Sequence, residues 1–190
     1  AIQMMEDLVE RSLLEMGTTG FKLKASAQRS LPATIQVLWR RRLDASLQSI
    51  PPSGRDALRV GAALGATVDV DEWSTVCSAM GIDIPDTLLS KLARTGLVDI
   101  RESGWAFAHG LLRESIAEEN KDVWAEINLA CAKMLNTAPN APGNQGRIGQ
   151  HLLAAGKLEE SLPFLHQGAR QDRQSGVYDS ALHLLDAQQG

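Results

Sequence analysis

Aromatic residues make up only 4% of this 190-residue chain. A β-sandwich draws on aromatic and β-branched side chains, and so few of them argue against one. Cysteine is nearly missing as well. Cys77 and Cys131 stand more than fifty residues apart, each among apolar helical positions. That arrangement predicts two buried free thiols in a reducing compartment rather than a disulfide or a metal pair. No apolar run approaches the roughly 18 residues that a membrane-spanning helix needs, and there is no signal-peptide pattern, so a cytoplasmic location without membrane contact is expected. Positive charge is not in excess: 19 Lys and Arg against 23 Asp and Glu leave a net charge of -4. General attraction to nucleic acid or to an anionic membrane is therefore not supplied.

The usual catalytic signatures are lacking too. MGTTGFK, residues 16–22, has glycines and a lysine, but not at GxxxxGK[ST] spacing, and a helix rather than a strand is expected before it. HExxH, GxSxG and clustered Cys and His ligands do not occur. Paired carboxylates such as Glu118 and Glu119 fall on polar helix faces and read as solvation. No catalytic or metal-ligating residue is expected in this segment.

What the chain does have is 44% hydrophobic residues, with Ala and Leu plentiful, a balance that favours a mainly α fold. Ile2, Met5, Leu8, Val9 and Met16 recur at three- and four-residue steps and predict an opening helix that ends at Gly17. Phe21 and Leu23 alternate with lysines as in a short strand or hairpin arm. Pro32 suits a first helical position, and Ile35, Leu38, Trp39, Leu43 and Leu47 carry that helix to about Ser49. Its adjacent Arg40, Arg41 and Arg42 point in three directions, which suits a solvated surface, or contact with a phosphate or a neighbouring domain, better than one flat phosphate-reading face.

Pro51 and Pro52 break the chain, and Ser53 with Asp56 three residues on reads as a capping box for a small-sided helix through Leu64. Further helices are predicted from about Val70 to Met80 and from Pro85, capped by Asp83, to the stop at Gly96. Leu97–Arg101 and Trp105–His109 then alternate around Glu102, Ser103 and Gly104, a β-hairpin. Three helices followed by a hairpin is the order of a winged helix. Helices over Leu111–Glu118 and Val123–Leu135 follow, and TAPNAPGNQG, residues 137–146, divides this body from a tail. In the tail, AAGKLEESLPFL (154–165) and QSGVYDSALHLL (174–185) share one order of small, glycine, polar, apolar and acidic positions. That order is the helix-start pattern of tetratricopeptide-like hairpins. The predicted fold class is mainly α: a winged helix with a short β-hairpin wing, followed by tetratricopeptide-like helical hairpins.

The pattern turns over within WAFAHGLLRESIAEE, residues 105–119, where alternation gives way to helical spacing. His109 sits at that change. Either it closes the hairpin with a hydrogen bond, or it stands beside free helix N–H groups where anions are favoured. The other histidines, His151, His166 and His183, belong to tail helices and read as surface or inter-helix residues. For the helix from Pro85 to Thr95 to read DNA, its surroundings should be basic. Between Asp83 and His109, however, three positive residues face four negative ones, which disfavours DNA.

In order, MEDLVERSLLEMG, FKLK and LPATIQVLWRRRLDASL, then GRDALRVGAALGATVDVDEW, LLSKLARTGLVDIRESGWAFAHGLLRES and RIGQHLLAAGKLEESLPFLHQGARQ resemble the middle of the STAND family, the signal-transducing ATPases with numerous domains. In these proteins a nucleotide-binding domain is followed by a winged helix and a repeat sensor. The resemblance implies lid and linker helices over 1–50, a winged helix over 51–120 and the start of a tetratricopeptide-like repeat over 121–190. In that family a histidine at the wing-to-helix junction, within a Met-His-Asp type motif, contacts the β-phosphate of ADP and holds the resting state. The matching residue is His109, with Arg113 one turn on as a second candidate nucleotide contact; the next position departs from the pattern, being Gly110. ADP or ATP would be bound mainly by an upstream domain of the same chain, where any ATPase activity would reside, and not by this segment alone.

The implied role is that of a regulatory arm. It would clamp that domain in its ADP-bound state and link it to a sensor for an unknown protein or small-molecule inducer. Ala1 in mid-helix and Gly190 just after one suggest a piece of a longer protein. A structural helical-repeat scaffold and a DNA-binding transcription regulator are the alternatives.

Overall fold

Pro51 and Pro52 make the first corner of the core, because proline cannot donate to a preceding helical turn yet suits the first position of a new one. The computed structural model describes residues 14–17, 20–23, 37–118, 121–138, 141 and 143–174, and among these the chain is mainly helical. Residues 37–47 are helical and form α1; the start expected at Pro32 lies outside the described residues. α2 spans Pro52–Leu64. Ser53 and Asp56 do not form the expected box. The helix begins one residue earlier without a side-chain cap, and the Asp56 carboxylate accepts instead from Arg59 at 2.6 Å.

α2 is small-sided because two indoles press on it. A Cβ at Gly61 would lie 2.5 Å from the Trp105 ring, and Trp73 donates its Nε1 to the Ala57 carbonyl at 2.7 Å. The two indoles meet edge to face at 5.3 Å, and Trp105 meets Phe107 likewise at 4.9 Å. Burying each such side chain contributes on the order of 2 kcal/mol. Leu58, Leu88, Leu92 and Leu112 close the same core.

α3, Val70–Ala79, starts where the Asp69 carboxylate accepts from the N–H groups of Asp71 and Glu72, leaving both acidic side chains in the favourable first turn. α4, Leu88–Arg94, is shorter than expected. Pro85 lies in the turn before it, where its carbonyl accepts the Leu88 N–H at 2.9 Å, and Asp83 is not the cap. α4 ends at Gly96, with φ +66°. There Leu97 N–H reaches the Leu92 carbonyl and Gly96 N–H the Ala93 carbonyl, both at 2.9 Å, a left-handed stop that glycine adopts without strain.

The wing is the hairpin of β4, Val98–Arg101, and β5, Gly104–Phe107, with Ile100 opposite Trp105 and Glu102-Ser103 as a two-residue turn. Each strand is one residue shorter than predicted; β4 starts one residue later, and β5 runs from Gly104 to Phe107 instead of from Trp105 to His109. A strand the sequence did not announce, β3 over Thr67–Asp69, pairs antiparallel with β5 and gives the order β3-β5-β4. Another hairpin, β1 Leu14–Gly17 with β2 Gly20–Leu23, pairs Gly17 with Gly20. The opening helix therefore cannot run to Gly17. Leu14 and Met16 occupy alternate strand positions, and the flanking glycines suit a tight reversal. MGTTGFK thus does follow strand residues, although its spacing still departs from a phosphate loop. The rest of that expected opening helix, up to residue 13, lies outside the described residues.

α5, Gly110–Glu118, leaves the wing, and α6, Lys121–Leu135, packs on α2 and α3. α7, Asn144–Ala154, and α8, Leu158–Gln174, form a helical hairpin. Gly156, φ +74°, stops α7 as Gly96 stops α4, with Lys157 N–H on the Leu152 carbonyl at 2.9 Å. The helix expected from Val177 lies outside the described residues.

Candidate functional site

His109 is exposed between β5 and the first turn of α5. Backbone bonds close the strand end: Ala108 N–H donates to the Leu97 carbonyl at 3.0 Å, and the His109 carbonyl accepts from Leu112 N–H at 3.1 Å. The imidazole is not needed for that closure. Its ring instead lies 4.4 Å from Trp39 of α1, tilted by 41°. The Arg42 guanidinium stands 5.3 Å from the centre of the same indole and donates to the Thr95 carbonyl at 3.1 Å. An imidazole and a guanidinium thus share one indole at the exit of the wing, the guanidinium within cation–π distance of the ring.

Arg113 follows one turn later but turns to a different neighbour. Its Nε donates to the Ala62 carbonyl near the end of α2 at 2.8 Å. It lines a cavity of about 370 Å³ with Leu64, Trp124, Asn128, Arg147 and His151, and His109 is not part of that lining. The two candidate residues therefore share a helix start but not a cavity.

This second site is a polar seam between the wing-bearing body and α7. Arg147 makes a bidentate pair with Glu72 of α3, Nη1 to Oε1 at 2.8 Å and Nη2 to Oε2 at 2.5 Å. That hydrogen bond holds the guanidinium above even its usual high pKa. His151 is buried, with Nδ1 2.8 Å from Asn128 Oδ1. Desolvation, and then the charge of Arg147, push its pKa down to about 4; Glu72 opposes them, and Arg113 adds a still smaller downward push. His151 is thus an inter-helix residue, as expected, while His166 is exposed on α8. Sequence inspection missed the seam. Its trace was there: Gln145 and His151 fall on the buried side of α7 together with Ile148 and Leu152, where polar residues need partners.

Cys77 and Cys131 are both buried free thiols, as expected, and burial pushes each up to about 12. The described residues contain no group of His, Cys, Asp and Glu able to hold a metal ion, and no described helix is long and apolar enough to cross a membrane. The face of α4 is partly occupied: Lys91 bonds Ser49 Oγ, and α1 reaches Thr95 through Arg42 and Ser46. These contacts fall on the side of α4 that carries the buried Leu88 and Leu92, while Thr87, Ser90 and Arg94 are exposed on the other side.

No family model and no curated protein matches the chain. Among solved structures it is similar to a Signal Transduction ATPase with Numerous Domains (STAND) protein with a tetratricopeptide repeat sensor from Pyrococcus horikoshii. The likeness has 16% identity and a TM-score of 0.48, and it covers 73% of this chain and 26% of that one.

Proposed function

We propose that the chain is the regulatory arm of a multidomain ATPase switch, in which the wing-exit histidine senses the β-phosphate of ADP held by a nucleotide domain of the same protein. The reading rests on the quoted sequence resemblance and on one observation in particular. His109 is exposed at a helix start, and backbone bonds, not its side chain, close the hairpin. An imidazole in that position can donate to a phosphate oxygen where the helix pole already favours negative charge. Trp39 backs the ring and limits its rotation. On this reading Arg113 positions the start of α5 through its bond to Ala62 rather than touching nucleotide from the same cavity. The domains follow the sequence: lid and linker to residue 50, winged helix to 120, then the first repeats of a sensor.

The experiment uses the natural chain extended upstream. Purified protein is denatured and the released nucleotide identified, for wild type and for His109→Ala. One ADP per wild-type chain is expected. Loss of one charge-assisted hydrogen bond should weaken retention by about ten- to a hundredfold. If both proteins release the same nucleotide in the same amount, His109 is not the sensor. If neither carries nor binds any, the switch reading fails and a structural scaffold takes its place.

A further inference from the structure

The seam cavity has its own chemistry, independent of His109. Arg147 is committed to Glu72 through both terminal nitrogens. Arg113 is not. Its Nε is taken by Ala62, and its Nη1 and Nη2 have no hydrogen-bond or ion-pair partner among the described residues. That pair of nitrogens is the edge of a guanidinium that matches a carboxylate in bidentate fashion. Asn128 donates its Nδ2 to the Trp124 carbonyl at 2.8 Å, which turns its Oδ1 toward His151. The His151 proton therefore sits on Nδ1, and Nε2 is left as an acceptor without a partner among the described residues. Burial keeps the ring neutral at neutral pH, which preserves that acceptor. Leu64, Trp124 and Ala154 supply apolar wall, and Gln150 is exposed at the rim.

We propose that this cavity of about 370 Å³ binds a small hydroxylated carboxylic acid, with the carboxylate on Arg113, the hydroxyl donating to His151 Nε2 and the hydrocarbon body against Trp124. The volume lies within the range of small-molecule sites, which combine apolar lining with a few convergent polar groups. One uncommitted guanidinium balances one negative charge. A phosphate monoester, which carries close to two, would find its second charge opposed by nothing but the already neutralised Arg147. Arg113 belongs to α5, Trp124 and Asn128 to α6, and His151 to α7. An occupant therefore touches both the wing-bearing body and the tail, and its binding would favour the arrangement in which they are docked.

The test uses the 190-residue chain with the 2-, 3- and 4-hydroxybenzoates as probes, followed by titration calorimetry and saturation-transfer NMR. Benzoate, the matching hydroxybenzamides and inorganic phosphate serve as comparisons. At least one hydroxybenzoate should bind saturably, more tightly than benzoate and about tenfold more tightly than its amide, which lacks the charge. Arg113→Lys should weaken binding about tenfold by removing the fork. Because Arg113 also holds Ala62, the exposed Gln150→Glu gives a second variant that adds a like charge at the rim without touching the core, and it should weaken binding too. The proposal is overturned if no hydroxybenzoate saturates the wild type, if the amide binds as well as the acid, if phosphate binds more tightly than every carboxylate, or if both variants bind like wild type.

Discussion

His151 decides how the seam responds to acid. Its ring is neutral in the folded protein because charging it would desolvate a cation beside Arg147 and Arg113, with only Glu72 in opposition. Its folded pKa is about 4 against 6.5 for the free side chain. At pH above 6.5 neither the folded nor the unfolded chain protonates it, and it carries no penalty. As pH falls from 6.5 to 4 the unfolded chain takes up the proton first, so stability is lost through that window and levels off below it. A shift of this size corresponds to about 3 kcal/mol. Urea denaturation of wild type and His151→Gln at intervals from pH 7.5 to pH 4 isolates the effect, since other groups titrate in both proteins. The two stability curves should separate in slope between pH 6.5 and 4. Parallel curves would mean that the ring is solvated in the native protein.

Among the elements, the α7–α8 hairpin depends on one small residue. Gly149 lies so close to α8 that an added Cβ would stand 2.7 Å from Leu165 Cγ and 2.8 Å from its backbone nitrogen. A flexible side-chain end could shift, but a backbone nitrogen moves only with its helix. Gly149→Ala should therefore cost about 1–3 kcal/mol despite alanine's better helix propensity, read as a lower thermal midpoint. A gain in stability would show that the two helices are not closely packed. Helices and their glycine stops were legible because apolar spacing and left-handed stops are local: Gly96 and Gly156 end α4 and α7 where the sequence placed them. The wing hairpin was legible for the same reason, and His109 stood out because periodicity changes at it. β3 was not, since three residues give no alternation to detect and its pairing with β5 is nonlocal. Ser53 and Asp56 had the right spacing for a cap, but Pro52 starts the helix earlier and Arg59 takes the carboxylate. The cavity at the seam was hidden for a similar reason, because it joins residues from four helices.

For the whole molecule, the question is whether the wing-bearing body and the tail are one cooperative unit. Arg147 and Glu72 are 75 positions apart, and they join the first turn of α3 to α7. The pair is only partly buried, with side chains 35% and 26% exposed, so solvent screens it and its coupling should be held to about 1 kcal/mol. Apolar contact reaches further. Ile127 and Cys131 of α6 belong to the same buried cluster as Trp73 and Val76 of α3. Met134 packs both against that cluster and against the next, formed by Ala132, Leu135, Ile148 and Leu152. The core thus continues from body into tail through α6, and the ion pair orients a junction that packing already holds. A double-mutant cycle with Arg147→Met and Glu72→Gln should give that modest coupling, while calorimetry of each variant keeps a single unfolding transition at a lower midpoint. Splitting into two transitions on loss of Arg147 alone would show that the tail is docked chiefly by charge, and α6 would then be a linker rather than the spine shared by both parts.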